Sequence, residues 1–292
     1  MSHLLMIRRP HPTQGRTSMP AYQFTRLPRT VLNVAGDDRK TFLQGLISND
    51  VAKIAPGQAL WAAFLTPQGK FLWDLFLTEQ GDTVLIDVDA ATAEAFRKKL
   101  SLYKLRSKVT ITTTDLAVFA VFGGDGALPE GVAADTRLPA MGGRLYASQP
   151  PADMAEVPLA AWDAWRFAQG VPDGARDLIV DKSLLLENGF DELSGVDFNK
   201  GCYMGQELTA RTKYRGLVRK RLLPVSFDGA APEVGTPVLV GEVEAGKMRS
   251  GGDGAGLAMI RLEHLRAGTP LTCGGKALAV TVPAWAVLPE GE

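Results

Sequence analysis

The stretch Lys200-Gly201-Cys202-Tyr203-Met204-Gly205-Gln206-Glu207-Leu208-Thr209-Ala210-Arg211 brings a thiol, an ammonium, a carboxylate and a guanidinium into one short segment. A thiolate is both a nucleophile and a metal ligand, and nearby cations favour it over the thiol. Lys200 and Arg211 are placed to do this for Cys202. A soft thiolate suits iron or copper. The plain alternative is a small buried apolar side chain, which most free cysteines are. Gly201 and Gly205 permit left-handed backbone and close approach by a ligand.

Downstream, Arg211, Lys213, Arg215, Arg219, Lys220 and Arg221 occur with no acid between them. Such a cluster can hold carboxylates, phosphate or RNA, or it can be a solvated basic face. Tyr103-Lys104-Leu105-Arg106-Ser107-Lys108 is a second basic patch, and the end of a helix would also favour cations there. Trp61, Phe64, Phe71, Trp73 and Phe76 read as core or sheet-face residues, one of which can line a pocket for a flat ring. There is no Gly-x-Ser-x-Gly elbow, P-loop or dinucleotide fingerprint.

The elements that must position these groups belong to a chain of 292 residues, long enough for two or three domains. Lys plus Arg and Asp plus Glu both number 32, so net charge selects no partner. Two cysteines, Cys202 and Cys273, fit a reducing compartment and are too few for a four-thiolate site. No apolar run is long enough for a membrane helix. Residues 1–36 carry five arginines and no acid, like a mitochondrial transit peptide. Met19 is the other reading of the start, with 1–24 a leader or disordered tail.

Val31–Val34 reads as a strand, followed by a helix capped by Asp37 or Asp38 with Phe42, Leu43, Leu46 and Ile47 inward. Leu60–Leu65, Phe71–Leu77 and Thr83–Val88 form an antiparallel meander whose first turn is Thr66-Pro67-Gln68-Gly69. Ala90–Leu102 is helical. Ser107–Thr113, Leu116–Phe122 and Arg144–Ala147 are strands, and 123–139 is a loop. Leu159–Gln169 is a helix, and 172–199 is loop-like. After about residue 220, the short apolar runs Leu222–Phe227, Pro237–Val240, Gly256–Leu262 and Ala277–Val282 between Gly/Pro clusters indicate a small all-β barrel.

Lys200–Glu207, with Leu208–Arg211 and Lys213–Gly216, resembles the signature of the YgfZ family of folate-binding proteins. Phe42-Leu43-Gln44-Gly45 with Ser48-Asn49-Asp50, then Phe64–Lys70, then Tyr103–Lys108, match in the same order. The resemblance runs from about 25 to 285 and is nearest to the mitochondrial-type iron–sulfur cluster assembly factors. It implies an α+β fold related to aminomethyltransferase: two mixed α/β lobes (25–220) around a folate-sized cavity, then a C-terminal β-barrel (221–292). Two transferase carboxylate positions are lost. Trp73 stands beside Asp74 where a paired aspartate is found, and Ala168 stands for a pterin-holding glutamate.

The expectation is therefore a tetrahydrofolate-binding accessory factor in assembly or repair of 4Fe–4S proteins, not a self-sufficient enzyme. Cys202 would be the working thiol and a transient ligand to a shared 2Fe–2S cluster. Lys200, Tyr203, Gln206, Glu207, Arg211, Arg106, Asp74 and Glu187 would bind the cofactor. Expected partners are iron–sulfur carriers of the A-type and glutaredoxin classes and 4Fe–4S client enzymes, including radical enzymes that modify tRNA. Neither membrane nor nucleic acid is expected. The compartment is a bacterial cytoplasm or, alternatively, a mitochondrial matrix. Two other readings stay open: a folate-dependent one-carbon transferase using Asp74 and Glu187, and an RNA-binding adaptor using 211–221.

Overall fold

The computed structural model describes residues 21–216 and 218–289. The readings made on residues 1–20 lie outside them. In chain order the first region contains β1 (Gln23–Leu27), β2 (Arg29–Ala35), α1 (Arg39–Gln44), β3 (Gln58–Leu65), β4 (Phe71–Gln80), β5 (Thr83–Asp89), α2 (Ala93–Leu102), β6 (Thr110–Thr113), β7 (Ala117–Phe122), β8 (Ala133–Asp135), β9 (Gly143–Ala147) and β10 (Ala155–Glu156). Three helices follow: α3 (Leu159–Gln169), α4 (Gly174–Asp177) and α5 (Gln206–Tyr214). Last come β11 (Lys220–Ser226), β12 (Pro237–Val240), β13 (Val243–Gly251), β14 (Ala255–Arg261), α6 (Leu262–Arg266), β15 (Leu271–Cys273) and β16 (Lys276–Val280).

The first ten strands hydrogen-bond in the order β10-β1-β7-β9-β8-β3-β4-β5-β2-β6. The chain leaves one half of this sheet after β1 and enters the other at β2, with Pro28 between. The halves meet where β3 and β8 pair in parallel, Gln58 with Ala134 and Ala59 with Asp135. Successive strand side chains point to opposite faces, and β3 shows the consequence. Ala59, Trp61, Ala63 and Leu65 enter one core, while Leu60, Ala62 and Phe64 enter a second on the other face. Helix α2 covers the second core with Ala93, Phe96 and Leu100, a spacing that shares one helix face. The last six strands close as a barrel, β11-β14-β13-β12-β15-β16. Its interior is filled by Leu223, Val225, Val238, Met248, Ala258 and Ile260.

The two mixed lobes and the barrel are thus as the sequence implied, with local differences. The segment 123–139 holds β8, whose Ala-Ala-Asp composition carries no strand propensity. The strand read over 107–113 shortens to β6. Asp38 precedes α1 without a side-chain cap; its Oδ2 instead accepts from the Lys108 N–H at 2.7 Å. The first strand starts at Gln23, two residues before the Thr25 read from sequence, and pairs with β7 along its whole length. Among the described residues no helix is long and apolar enough to cross a membrane.

Candidate functional site

Segments far apart in sequence meet around the C-terminal end of α1. Ile47 bridges to Phe64 of β3. The Ser48 N–H donates to the Ala63 carbonyl at 2.9 Å, and its hydroxyl donates to the Gly195 carbonyl at 2.6 Å. The Asn49 amide donates to the carbonyls of Trp61 at 2.8 Å and Ser194 at 2.7 Å. These small polar residues tie the α1 turn both to β3 and to the irregular segment that leads into Lys200. Across the resulting platform the Met204 N–H donates to the Gly45 carbonyl at 3.0 Å.

Each residue of the 200–207 stretch then has a place. Lys200 is buried, and its Nζ donates to the carbonyls of Gln44 and Ile47, both at 2.6 Å. Burial lowers its pKa to about 8, with Asp50 and Asp197 opposing the shift. Gly201 takes φ +87° with open space around it. Cys202 is exposed, and the other thiol, Cys273, is sealed in the barrel. Tyr203 is buried against the first core, and that burial pushes its hydroxyl up to about 12. The Gln206 Oε1 accepts from the Tyr203 N–H at 3.1 Å. Glu207 is exposed in the first turn of α5.

The β3–β4 turn supplies the opposite wall. Gly205 (φ +82°) and Gly69 (φ +81°) lie in contact: a Cβ on Gly205 would stand 2.4 Å from the Thr66 carbonyl oxygen, and one on Gly69 2.6 Å from that of Gly205. Both positions therefore require glycine on two grounds, φ and space. Gly205→Ala is expected to destabilise the chain by about 2 kcal/mol or more, read as a fall in the thermal midpoint. An unchanged midpoint would show that this contact is soft.

The structure separates other residues that the sequence reading had grouped with Cys202. Arg106 is exposed on the loop after α2, where it lines an open groove with Asp38, Thr41 and Phe42. Glu187 is buried at the edge of the barrel, 3.5 Å from Lys220 of β11. Burial raises its pKa, and Lys220 offsets this only in part. Arg211 is exposed on α5. The basic run does not act as one surface: Lys213 pairs with Asp191, and Arg221 is buried on the Leu186 carbonyl and Glu192. Lys200 spends its ammonium on two backbone carbonyls and Gln206 its amide oxygen on the Tyr203 N–H, so both hold the loop.

Asp74 belongs to a different place, the space between the lobes. Arg29 lies 3.2 Å from Asp74 and also pairs with Asp87. Arg144 holds the other Asp87 oxygen at 2.6 Å, and Arg137 holds Asp135 at 2.7 Å. On α3 and α4, Arg166 pairs with Asp177 at 2.7 Å, and Arg176 pairs with Asp163 at 2.7 Å and Asp173 at 2.8 Å. Burial would raise the Asp173 carboxyl, but Arg176, Arg166 and Arg29 outweigh it and hold it below the usual range. Burial likewise opposes ionisation of Asp135, and Arg137 and Arg144 prevail. Asp74 Oδ2 also faces the Trp61 Nε1 and the Gly174 N–H, both at 3.4 Å.

This ion-pair lattice decides whether a pterin fits. It leaves a cavity of about 40 Å³, against ~300–1,000 Å³ for small-molecule pockets. That holds a few waters. Tetrahydrofolate does not fit among these residues as they are packed, and Asp74 is fully engaged. Sequence reasoning missed the lattice. Its signal was a charge on an inward strand position: Asp87 shares the inner face of β5 with Leu85, while Val84, Ile86 and Val88 face the second core.

Comparison with known proteins agrees with this architecture. Residues 219–288 match the family model described as the CAF17 C-terminal beta-barrel domain. The crystal structure of the glycine cleavage system aminomethyltransferase T from Bartonella henselae superposes with a TM-score of 0.73, covering 91% of this chain and 86% of that one at 15% identity; this likeness is one of fold. The human mitochondrial iron–sulfur cluster assembly factor IBA57 is 37% identical over 298 residues, 88% of this chain and 83% of its own length. The IBA57 homolog of Mycosarcoma maydis is 34% identical, over 84% of this chain and 75% of its own. That of Neurospora crassa is 35% identical over 70% of this chain, which spans only about half (54%) of that longer relative. With its fold, its barrel and these relatives taken together, the chain belongs to the IBA57 family of iron–sulfur cluster assembly factors.

Proposed function

We propose that this chain assists assembly or repair of 4Fe–4S proteins by offering one thiolate, Cys202, to a 2Fe–2S cluster handed over by a carrier protein. The observation that carries this reading is the exposure of Cys202 at the middle of a segment pinned at both ends, while Cys273 is sealed. The cluster is cargo. Among the described residues no three His, Cys, Asp or Glu side chains stand together to hold a metal, so the remaining ligands come from the carrier or a small thiol. On binding, the thiol releases its proton to solvent and its sulfur displaces one carrier thiolate from iron; that thiolate stays on the carrier and takes up a proton, and no electron changes hands. A-type or glutaredoxin-class carriers and 4Fe–4S clients are the proposed partners, in a reducing compartment, either bacterial cytoplasm or mitochondrial matrix.

The expectation of tetrahydrofolate finds no support in the packing around Asp74. One-carbon transfer loses its base for the same reason. An RNA adaptor loses half of its cations to internal pairs and buried contacts. The test is anaerobic titration of the full-length protein with a 2Fe–2S-loaded A-type carrier, followed by visible absorbance. A saturable spectral change is expected with the wild type and none with Cys202→Ser. Equal changes in both would sink the role of Cys202.

A further inference from the structure

Gln44 ends α1, and Lys200 lies 156 positions later, yet the two hold each other in both directions. The Gln44 Nε2 donates to the Lys200 carbonyl at 3.0 Å and to Asp50 Oδ1 at 3.0 Å. Its Oε1 accepts from the Val51 N–H at 2.8 Å. Lys200 returns its ammonium to the carbonyl of Gln44, and to that of Ile47. Both ends of the Gln44 amide are used.

The consequence falls on the segment between two anchors. Lys200 is fixed at one end by this clasp, and Met204 is fixed at the other by its N–H on Gly45. Only residues 201–203 lie between. Tyr203 is anchored in the core, and Gly201 is in open space, so Cys202 is the side chain presented. An unpinned residue retains backbone freedom worth about 1–2 kcal/mol. The clasp removes that freedom before any partner arrives.

We infer that Gln44 is a positioning residue for Cys202, setting its place by holding the Lys200 carbonyl, and that the Lys200 ammonium is a buried tie for the same segment. This rests on the reading of Cys202 as the cluster-handling group. It reassigns Lys200 from the role expected from sequence, because its donors point into two backbone carbonyls.

The test uses full-length Gln44→Leu, Gln44→Glu and Lys200→Met. Gln44→Glu is the same size and keeps the acceptor for Val51 but can donate neither to Lys200 nor to Asp50, whose carboxylate it then faces, and it serves if the leucine variant fails to fold. Cys273 is sealed, so iodoacetamide alkylation reports Cys202. In both Gln44 variants, amide exchange over 201–204 should quicken and 2Fe–2S transfer should slow, each about tenfold, the factor for one lost hydrogen bond. The same quickening is expected in Lys200→Met, with Cys202 still open to alkylation. Wild-type exchange over 201–204 in a folded Gln44 variant would overturn the positioning role. Wild-type exchange over 201–204 in Lys200→Met would overturn its assignment as a tie. If instead Cys202→Ser transfers cluster normally, the reading of Cys202 falls, while the exchange result still judges the clasp.

Discussion

Cys202→Ser is expected to abolish complementation of a strain lacking its own family member, while the purified variant melts within about 0.5 kcal/mol of the wild type. The two halves of this result have separate causes. Cys202 is exposed and its sulfur fills no core, so replacing it removes no packing. A hydroxyl neither ionises near neutral pH nor binds iron as a soft ligand, so cluster contact is lost with one atom. Cys273→Ser should show the reverse. That thiol is 1% exposed in the barrel interior, so a buried hydroxyl there costs about 1–3 kcal/mol and leaves cluster chemistry intact. The pair of variants thereby separates function from stability. Full complementation by Cys202→Ser with normal levels of protein would end the case for the thiol.

Much of the architecture was legible because it follows period and punctuation. The β3–β5 meander alternates or runs apolar between Gly-bearing turns, and α3 closes on Gly170 in the left-handed region. The barrel declared itself by short runs. Its β13 was missed because Glu244, Lys247 and Arg249 interrupt the apolar pattern. At the site, the spacing of Lys200, Cys202 and Gln206 picked out one segment but not how its polar groups are spent. Local sequence placed an ammonium two residues from a thiol and suggested activation. Only the tertiary structure brings Gln44 and Ile47 beneath that ammonium and makes it a tie. The same limit applies to Asp74. A lone carboxylate after the turn reads as a remnant catalytic base, and nothing nearby announces that Arg29, which lies 45 residues earlier, occupies it.

Asp87→Ala is expected to cost about 3–5 kcal/mol, a large part of the ~5–15 kcal/mol that holds a typical domain, and so to collapse the soluble yield. Asp87 is fully buried and is shared by Arg29 and Arg144. Its removal leaves Arg144 without its close partner and Arg29 with Asp74 alone, in a space too small to admit many waters. Asp87→Asn should fall between, since the amide oxygen still accepts but carries no charge. The decisive comparison is Arg29→Met/Asp74→Leu/Asp87→Leu/Arg144→Met, which removes both cations together with both anions that Arg29 holds. If the lattice is filler for the space between the lobes, this quadruple variant should recover most of the stability lost in Asp87→Ala, because well-packed apolar replacements of buried ion pairs are often neutral. A measured loss below about 1 kcal/mol for Asp87→Ala would mean the opposite. The guanidiniums would then already be solvated and movable, and the space around Asp74 would be free to open for a ligand.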